Sequence, residues 1–138
     1  METKKLRILL VDDNRSFREA VKLFITKEMN CEVVGEASNG LEFLSLITKC
    51  SVDIVLMDIQ MPELDGIKAT KEWCLRNPNT KVIAVTMFTE KAYLLQLIQS
   101  GFKGCVFKTS FFVQIVAAVT AVMEGKLYFE RDIPLSKF

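Results

Sequence analysis

Apolar residues along this chain gather in short runs bounded by polar ones: LRILLV (6–11), CEVVGEA (31–37), DIVLM (53–57), KVIAV (81–85) and GCVF (104–107). Continuous β-branched and aliphatic runs of this length suit strands buried on both faces of a parallel sheet. Between the runs the apolar period changes to that of a helix. Phe17, Ala20, Val21, Phe24 and Ile25 fall at i, i+3, i+4, i+7 and i+8, the stripe of an amphipathic helix. A second helix is predicted from about Asn39, with Leu41, Leu44 and Ile47 on its apolar side. Asp65 is placed to cap a third helix starting near Gly66, Thr89 a fourth running to Gly101, and Ser110 a fifth running to Gly125.

Strand and helix therefore alternate, and the connections are too short for anything but parallel pairing with right-handed crossovers. The expected fold is a three-layer α/β/α sandwich. Residues 1–125 read as one domain, consistent with a chain of 138 residues that buries roughly two-thirds of its unfolded surface. The remainder, KLYFERDIPLSKF (126–138), reads as a detached tail or the start of a linker to another domain.

Polar residues fall at telling places within this pattern. Four of the five runs end in a side chain able to handle charge: Asp12 and Asp13 after the first, Asp58 after the third, Thr86 after the fourth and Lys108 after the fifth. Open parallel sheets bind ligands at the carboxyl ends of their strands, so these side chains converge. Taken alone, each has a structural reading: Asp12 and Asp13 as a turn or helix cap, Thr86 as a β-branched strand residue, Lys108 as a solvated end. Together they pose an electrostatic problem, because gathered carboxylates repel by a few kcal/mol per pair at an effective dielectric of about 20. Something cationic has to hold them. Lys108 supplies one charge, and an all-oxygen site with room for water and phosphate oxygens suits Mg²⁺ or Mn²⁺.

Composition narrows the chemistry. With 18 basic against 17 acidic residues, charge implies no polyelectrolyte partner, and no nucleic-acid contact is expected of this domain. The chain has no histidine, which removes histidine-based triads and general bases; a histidine in the mechanism must come from a partner. Cys31, Cys50, Cys74 and Cys105 form no CxxC pair and read as reduced thiols, mostly core. Behind Lys4, Lys5 and Arg7, the apolar run to Val11 is too short for a signal peptide, and residues 111–123 are too short to span a bilayer. A cytoplasmic protein without a membrane partner is expected.

The acidic pair in VDDN, the stretch MDIQMPELDG, the threonine after the fourth strand and the lysine after the fifth resemble the receiver domain of two-component response regulators over about residues 5–125. The spacing from Lys108 to MEGKLYF resembles its NarL-like subgroup. The resemblance implies a flavodoxin-like strand order 2-1-3-4-5. It also implies that Asp58 is the nucleophile that takes a phosphoryl group from a phosphohistidine on a sensor histidine kinase or phosphotransfer protein. Asp13, Asp58 and the main-chain carbonyl of Gln60 would ligate the metal, with Asp12 acting mainly through metal-bound water. Lys108 would pair with a phosphoryl oxygen and Thr86 would move inward to bond another, switching a contact surface. Such a chain is not a conventional turnover enzyme; it accepts the group on its own Asp58 and hydrolyses it. The full-length protein would then bind DNA through a domain that this chain lacks.

Several positions depart from the family pattern. Cys105 stands where receivers commonly carry an aromatic or histidine that couples to the threonine, with Phe102 or Phe107 as candidate substitutes. Met87 is bulkier than usual and would narrow the path to Asp58; Gln60 and Phe88 are placed to screen an acyl phosphate from water. Thr109 replaces a frequent proline. In the last helix, Phe112, Ile115, Val116, Val119 and Val122 form the expected core stripe, while Phe111, Val113, Ala117 and Ala121 make other sides oily too. That excess suggests a contact face for a homodimer, another domain or a kinase.

Rival readings fit less well. A dehalogenase-like phosphatase would need a second aspartate where VDDN has Asn14, and an FMN module would need a phosphate loop where two carboxylates stand. A receiver-like interaction module that signals without phosphorylation is the more serious alternative, since Cys105 and Met87 allow it.

Overall fold

The structure, a computed structural model, describes residues 4–87 and 91–129. Five parallel strands, β1 (Leu6–Val11), β2 (Cys31–Ala37), β3 (Ile54–Asp58), β4 (Val82–Thr86) and β5 (Gly104–Phe107), form one sheet in the order β2-β1-β3-β4-β5. Helices α1 (Arg15–Glu28), α2 (Gly40–Ile47), α3 (Gly66–Arg76), α4 (Lys91–Gln99) and α5 (Phe111–Met123) follow them in strict alternation. A single 3-10 turn, Lys108–Ser110, leads into α5. The expected three-layer sandwich and its strand order are both present.

Strand alternation divides the core in two. Leu9, Val11, Val55, Met57, Val82, Ala84 and Cys105 pack on the side holding Phe43 and Ile47 of α2, Ala69 of α3 and Leu94 and Leu97 of α4. Ile8, Leu10, Ile54, Leu56, Ile83, Val85 and Val106 pack against Val21 and Ile25 of α1 and Ile115, Ala118 and Val119 of α5. Helices on both faces leave the interior of the sheet dry. Strands β3, β4 and β5 are accordingly buried at every position. The β1–β2 ladder slips between Ile8 and Leu9, so that Val33 and Gly35 oppose successive β1 residues.

Capping follows the predicted punctuation in part. Asn39 and Asp65 accept the amides of Glu42 and Lys68 at 2.9 Å, and Gly101 and Gly125 take the positive φ of a helix stop. Ser110 makes no side-chain cap, because the 3-10 turn already closes the entry to α5. Thr89 and Phe88 lie outside the described residues.

Two inward faces differ from expectation. In α2, Phe43 is buried while Leu41 is 54% exposed. In α5 the core stripe is Phe111, Ile115, Ala118, Val119 and Val122, whereas Phe112 and Val116 are exposed. The helix is apolar on so many sides that period alone allows either rotation, and the 3-10 turn sets the one adopted. The segment after α5 is not detached over 127–129: the Tyr128 amide donates to the Lys103 carbonyl at 3.0 Å, its carbonyl accepts from the Cys105 amide at 2.8 Å, and Phe129 is buried. These bonds lay the segment along the open edge of β5, where unpaired backbone groups would otherwise be left exposed.

Candidate functional site

At the carboxyl edge of the sheet the strand ends bring Asp12, Asp13 and Asp58 together, with one carboxylate oxygen of each within 4.8 Å of the others. Asp58 is far in sequence from the Asp12–Asp13 pair; adjacency comes from β1 and β3 being neighbours in the sheet. Residue parity then aims the side chains. Asp12 and Asp58 share the alternation of Leu10 and Leu56, which face α1 and α5, and Lys108 continues that of Val106. Thr86 has the parity of Val82 and Ala84, on the α4 side.

Lys108 bridges the acids. Its Nζ lies 3.1 Å from Asp12 Oδ2 and 3.5 Å from Asp58 Oδ1, with the Phe17 ring 5.0 Å away on another side. Asp12 is as deeply buried as Asp58; its Oδ1 accepts the Asn14 amide at 2.8 Å, and its carbonyl accepts Arg18 Nη1 at 2.6 Å. Arg18 is itself anchored by Glu36 at 3.1 Å. The next residues serve the same turn. Asn14 caps α1 by accepting the Phe17 amide at 3.0 Å, so the acidic loop is clamped at both ends.

Asp58 is 5% exposed, and its Oδ1 accepts its neighbour Ile59's amide at 2.8 Å. Burial, then the charge of Asp12, pushes its carboxyl up to about 7 against the opposing pull of Lys108. A hydrogen bond that protonated Asp58 donates to Asp13 adds to the rise. A carboxylate made this uncomfortable gains from any cation bound beside it.

An open cleft at this edge is lined by Asp13, Asn14, Asp58, Gln60, Thr86, Met87 and Lys108. Asp13, Gln60 and Met87 are exposed at its rim, so Met87 stands at the path to Asp58 as its bulk suggested. The backbone behind the cleft is held by Gly66, whose amide donates to the Ile59 carbonyl at 2.8 Å. A Cβ there would sit 2.1 Å from the Asp58 carbonyl oxygen, which explains why α3 begins with glycine.

All five side chains predicted to converge do so. Cys105 is buried on β5, as are Phe102 and Phe107, and a ring that reaches Thr86 comes from elsewhere. That ring is Tyr93 of α4, whose phenol interacts with the Thr86 hydroxyl and is pushed up to about 12, chiefly by burial. Tyr93, Phe17 and Arg18 are contributors that the strand-end pattern did not reveal. Tyr93 carries only a weak sequence signal, an amphipathic ring beside Leu94 at the start of a helix.

The acidic cluster fits a small divalent ion. Its donors are all hard oxygens, and a spread of that size suits direct ligation by some carboxylates and ligation through water by the rest. Among the described residues, no helix is long and apolar enough to cross a membrane.

Comparison with known proteins agrees with this geometry. A family model for the response regulator receiver domain matches residues 8–120. The transcriptional regulatory protein DegU of Brevibacillus brevis is 32% identical over 94% of this chain and 55% of its own length. LiaR of Bacillus subtilis is 34% identical over 93% of this chain and 61% of its own. The chain thus spans a little over half the length of these relatives. Among solved structures, a LuxR-family two-component response regulator from Aurantimonas sp. SI85-9A1 superposes with a TM-score of 0.87 at 30% identity, covering 96% of this chain and 94% of that one. The signal receiver domain of the response regulator NarL from Mycobacterium tuberculosis gives 0.83 at 31% identity, covering 90% and 100%.

Proposed function

Since this chain belongs to the response regulator receiver family, and its similarity runs to LuxR/NarL-type transcriptional regulators, we propose that Asp58 is its phosphoacceptor. The observation that supports this most is the pairing of a buried carboxylate with a lysine that also answers to a second acid. Lys108 holds Asp58 in place before reaction and is free to turn toward a phosphoryl oxygen afterwards. An oxygen of Asp58 attacks phosphorus as the bond to the partner's imidazole nitrogen breaks, and the imidazole leaves with the electron pair.

Asp13, Asp58 and the Gln60 carbonyl would hold Mg²⁺ or Mn²⁺, with Asp12 acting through water. The ion, when bound, spreads the charge that develops on the transferred oxygens. Thr86 would bond a phosphoryl oxygen and so lean toward the cleft. That movement draws it from Tyr93 and gives α4 a reason to shift. The longer protein would be a cytoplasmic transcription regulator, with a histidine kinase or phosphotransfer protein as donor and a homodimer as one outcome of phosphorylation. Hydrolysis of the acyl phosphate would reset it.

Intact mass after incubation with acetyl phosphate and Mg²⁺ tests the proposal. One added phosphoryl group is expected, absent in Asp58→Asn and with EDTA. No adduct on folded protein, together with no beryllofluoride binding, would favour an interaction module that works without phosphorylation.

A further inference from the structure

The Lys108 ammonium is faced by three groups: Asp12, Asp58 and the ring of Phe17 on α1. Two are charged and account for its pull into the site. The ring is different. It attracts a cation through its face without neutralising it, and such contacts strengthen when the cation is shielded from water, as Lys108 is at 19% side-chain exposure.

The ring is also fixed. Phe17 meets Phe111 edge to face at 5.5 Å and 78°, and lies 6.5 Å from Phe112. Phe111 and Phe112 are themselves edge to face at 5.1 Å, and Phe112 meets Phe24 of α1 at the same distance. Phe111 follows Lys108 through the 3-10 turn. The backbone that carries the lysine therefore also carries the ring that buttresses Phe17, and the two cannot drift apart independently.

We propose that Phe17 is a positioning residue, its ring face holding the Lys108 ammonium between Asp12 and Asp58. This rests on the reading of Asp58 as phosphoacceptor. The ammonium lies 3.1 Å from Asp12 and 3.5 Å from Asp58, so neither carboxylate holds it alone. The ring offers an attraction that does not compete for its charge, so the ammonium stays available to a phosphoryl oxygen. A solely structural Phe17 would fill space, and any apolar side chain of its size would serve.

Site-specific fluorination of Phe17 separates the two, because fluorines weaken the negative face of the ring while nearly conserving its volume. The readout is the Mg²⁺-dependent dissociation constant of beryllofluoride, measured calorimetrically on mono-, di- and trifluoro variants, with Phe17→Tyr and Phe17→Leu. Affinity is expected to weaken stepwise along the series, by on the order of two- to tenfold in total, with thermal stability unchanged. Phe17→Tyr should keep wild-type affinity and Phe17→Leu should fall to the trifluoro level. A flat fluorination series overturns the positioning role, even if Phe17→Leu binds poorly. Failure of the unmodified protein to bind beryllofluoride is a separate result, visible in the first titration, and removes the phosphoacceptor reading along with this one.

Discussion

Asp58→Asn should make the metal-free protein more stable at pH 8, and by an amount that vanishes toward pH 4. The substitution keeps the side chain's shape and its ability to accept the Ile59 amide, and removes its charge. With oxygens of Asp12 and Asp13 within 4.8 Å, each repulsion is worth roughly 3.5 kcal/mol at an effective dielectric of about 20. The attraction to Lys108 at 3.5 Å recovers roughly 4.7 kcal/mol on the same scale. Two repulsions against one attraction leave the charged form disfavoured by about 2 kcal/mol.

Linkage sets the pH window. Asp58 is held up to about 7 in the folded protein, from 3.8, so the folded state keeps its proton where the unfolded chain has lost it. Stability is present below the unfolded value, declines as pH rises from about 4 to about 7, and levels off above. The full shift corresponds to about 4 kcal/mol; the Coulomb sum supplies about 2 kcal/mol of it, and burial of the carboxylate, the largest cause, adds the rest. Urea denaturation of both proteins by circular dichroism at unit steps from pH 4 to 8 measures the difference. If Asp58→Asn were no more stable at pH 8, or its advantage did not change with pH, the electrostatic account of the cluster would be wrong. Added Mg²⁺ at pH 8 should raise the melting temperature of the wild type and leave that of Asp58→Asn nearly unmoved.

Other substitutions test the architecture around the site. Gly66→Ala should cost several kcal/mol in urea denaturation and abolish acetyl-phosphate labelling, since its Cβ meets the Asp58 carbonyl at 2.1 Å. Asn14→Ala should cost about 1 kcal/mol through loss of the α1 cap, and Ser110→Ala almost nothing, because Ser110 caps nothing. Phe111→Ala should cost about 3–5 kcal/mol, while Phe112→Ala, which removes a 43%-exposed ring, should cost under half as much in the same denaturation series. Tyr93→Phe should leave the fold intact and alter beryllofluoride affinity only while Thr86 is present, a dependence that a double-mutant cycle with Thr86→Ala reads directly.

What could be read from the sequence follows from which interactions are periodic. Strands buried on both faces announce themselves as continuous apolar runs, and the ends of those runs locate Asp12, Asp13, Asp58, Thr86 and Lys108 without any knowledge of contacts. Helix faces are harder. α1 has polar residues enough to define its stripe, but α5 is apolar nearly throughout, and the choice of Phe111 over Phe112 was made by a three-residue turn that no period encodes. Groups that act across layers leave still less trace. Phe17 and Arg18 reach the site from α1, and Tyr93 reaches Thr86 from α4, through packing geometry alone. The same holds for Tyr128 and Phe129: their sequence looks like a linker, and only the open edge of β5 gives them a place.

Parallel topology has a further consequence for the cluster at the sheet edge. Asp12 and Asp13 arrive together at the end of β1, while Asp58, Thr86 and Lys108 each arrive at the end of another strand, and each neighbouring pair of strands is separated in sequence by a complete crossover. No local segment of the chain contains both the acids and the lysine. A nascent or nicked chain lacking β5 would bring three acids together with no lysine to restrain them, and the carboxylates would push the unfinished edge apart. On the proposed function, a phosphoryl donor docking at this edge would meet the complete site only once the last strand is in place.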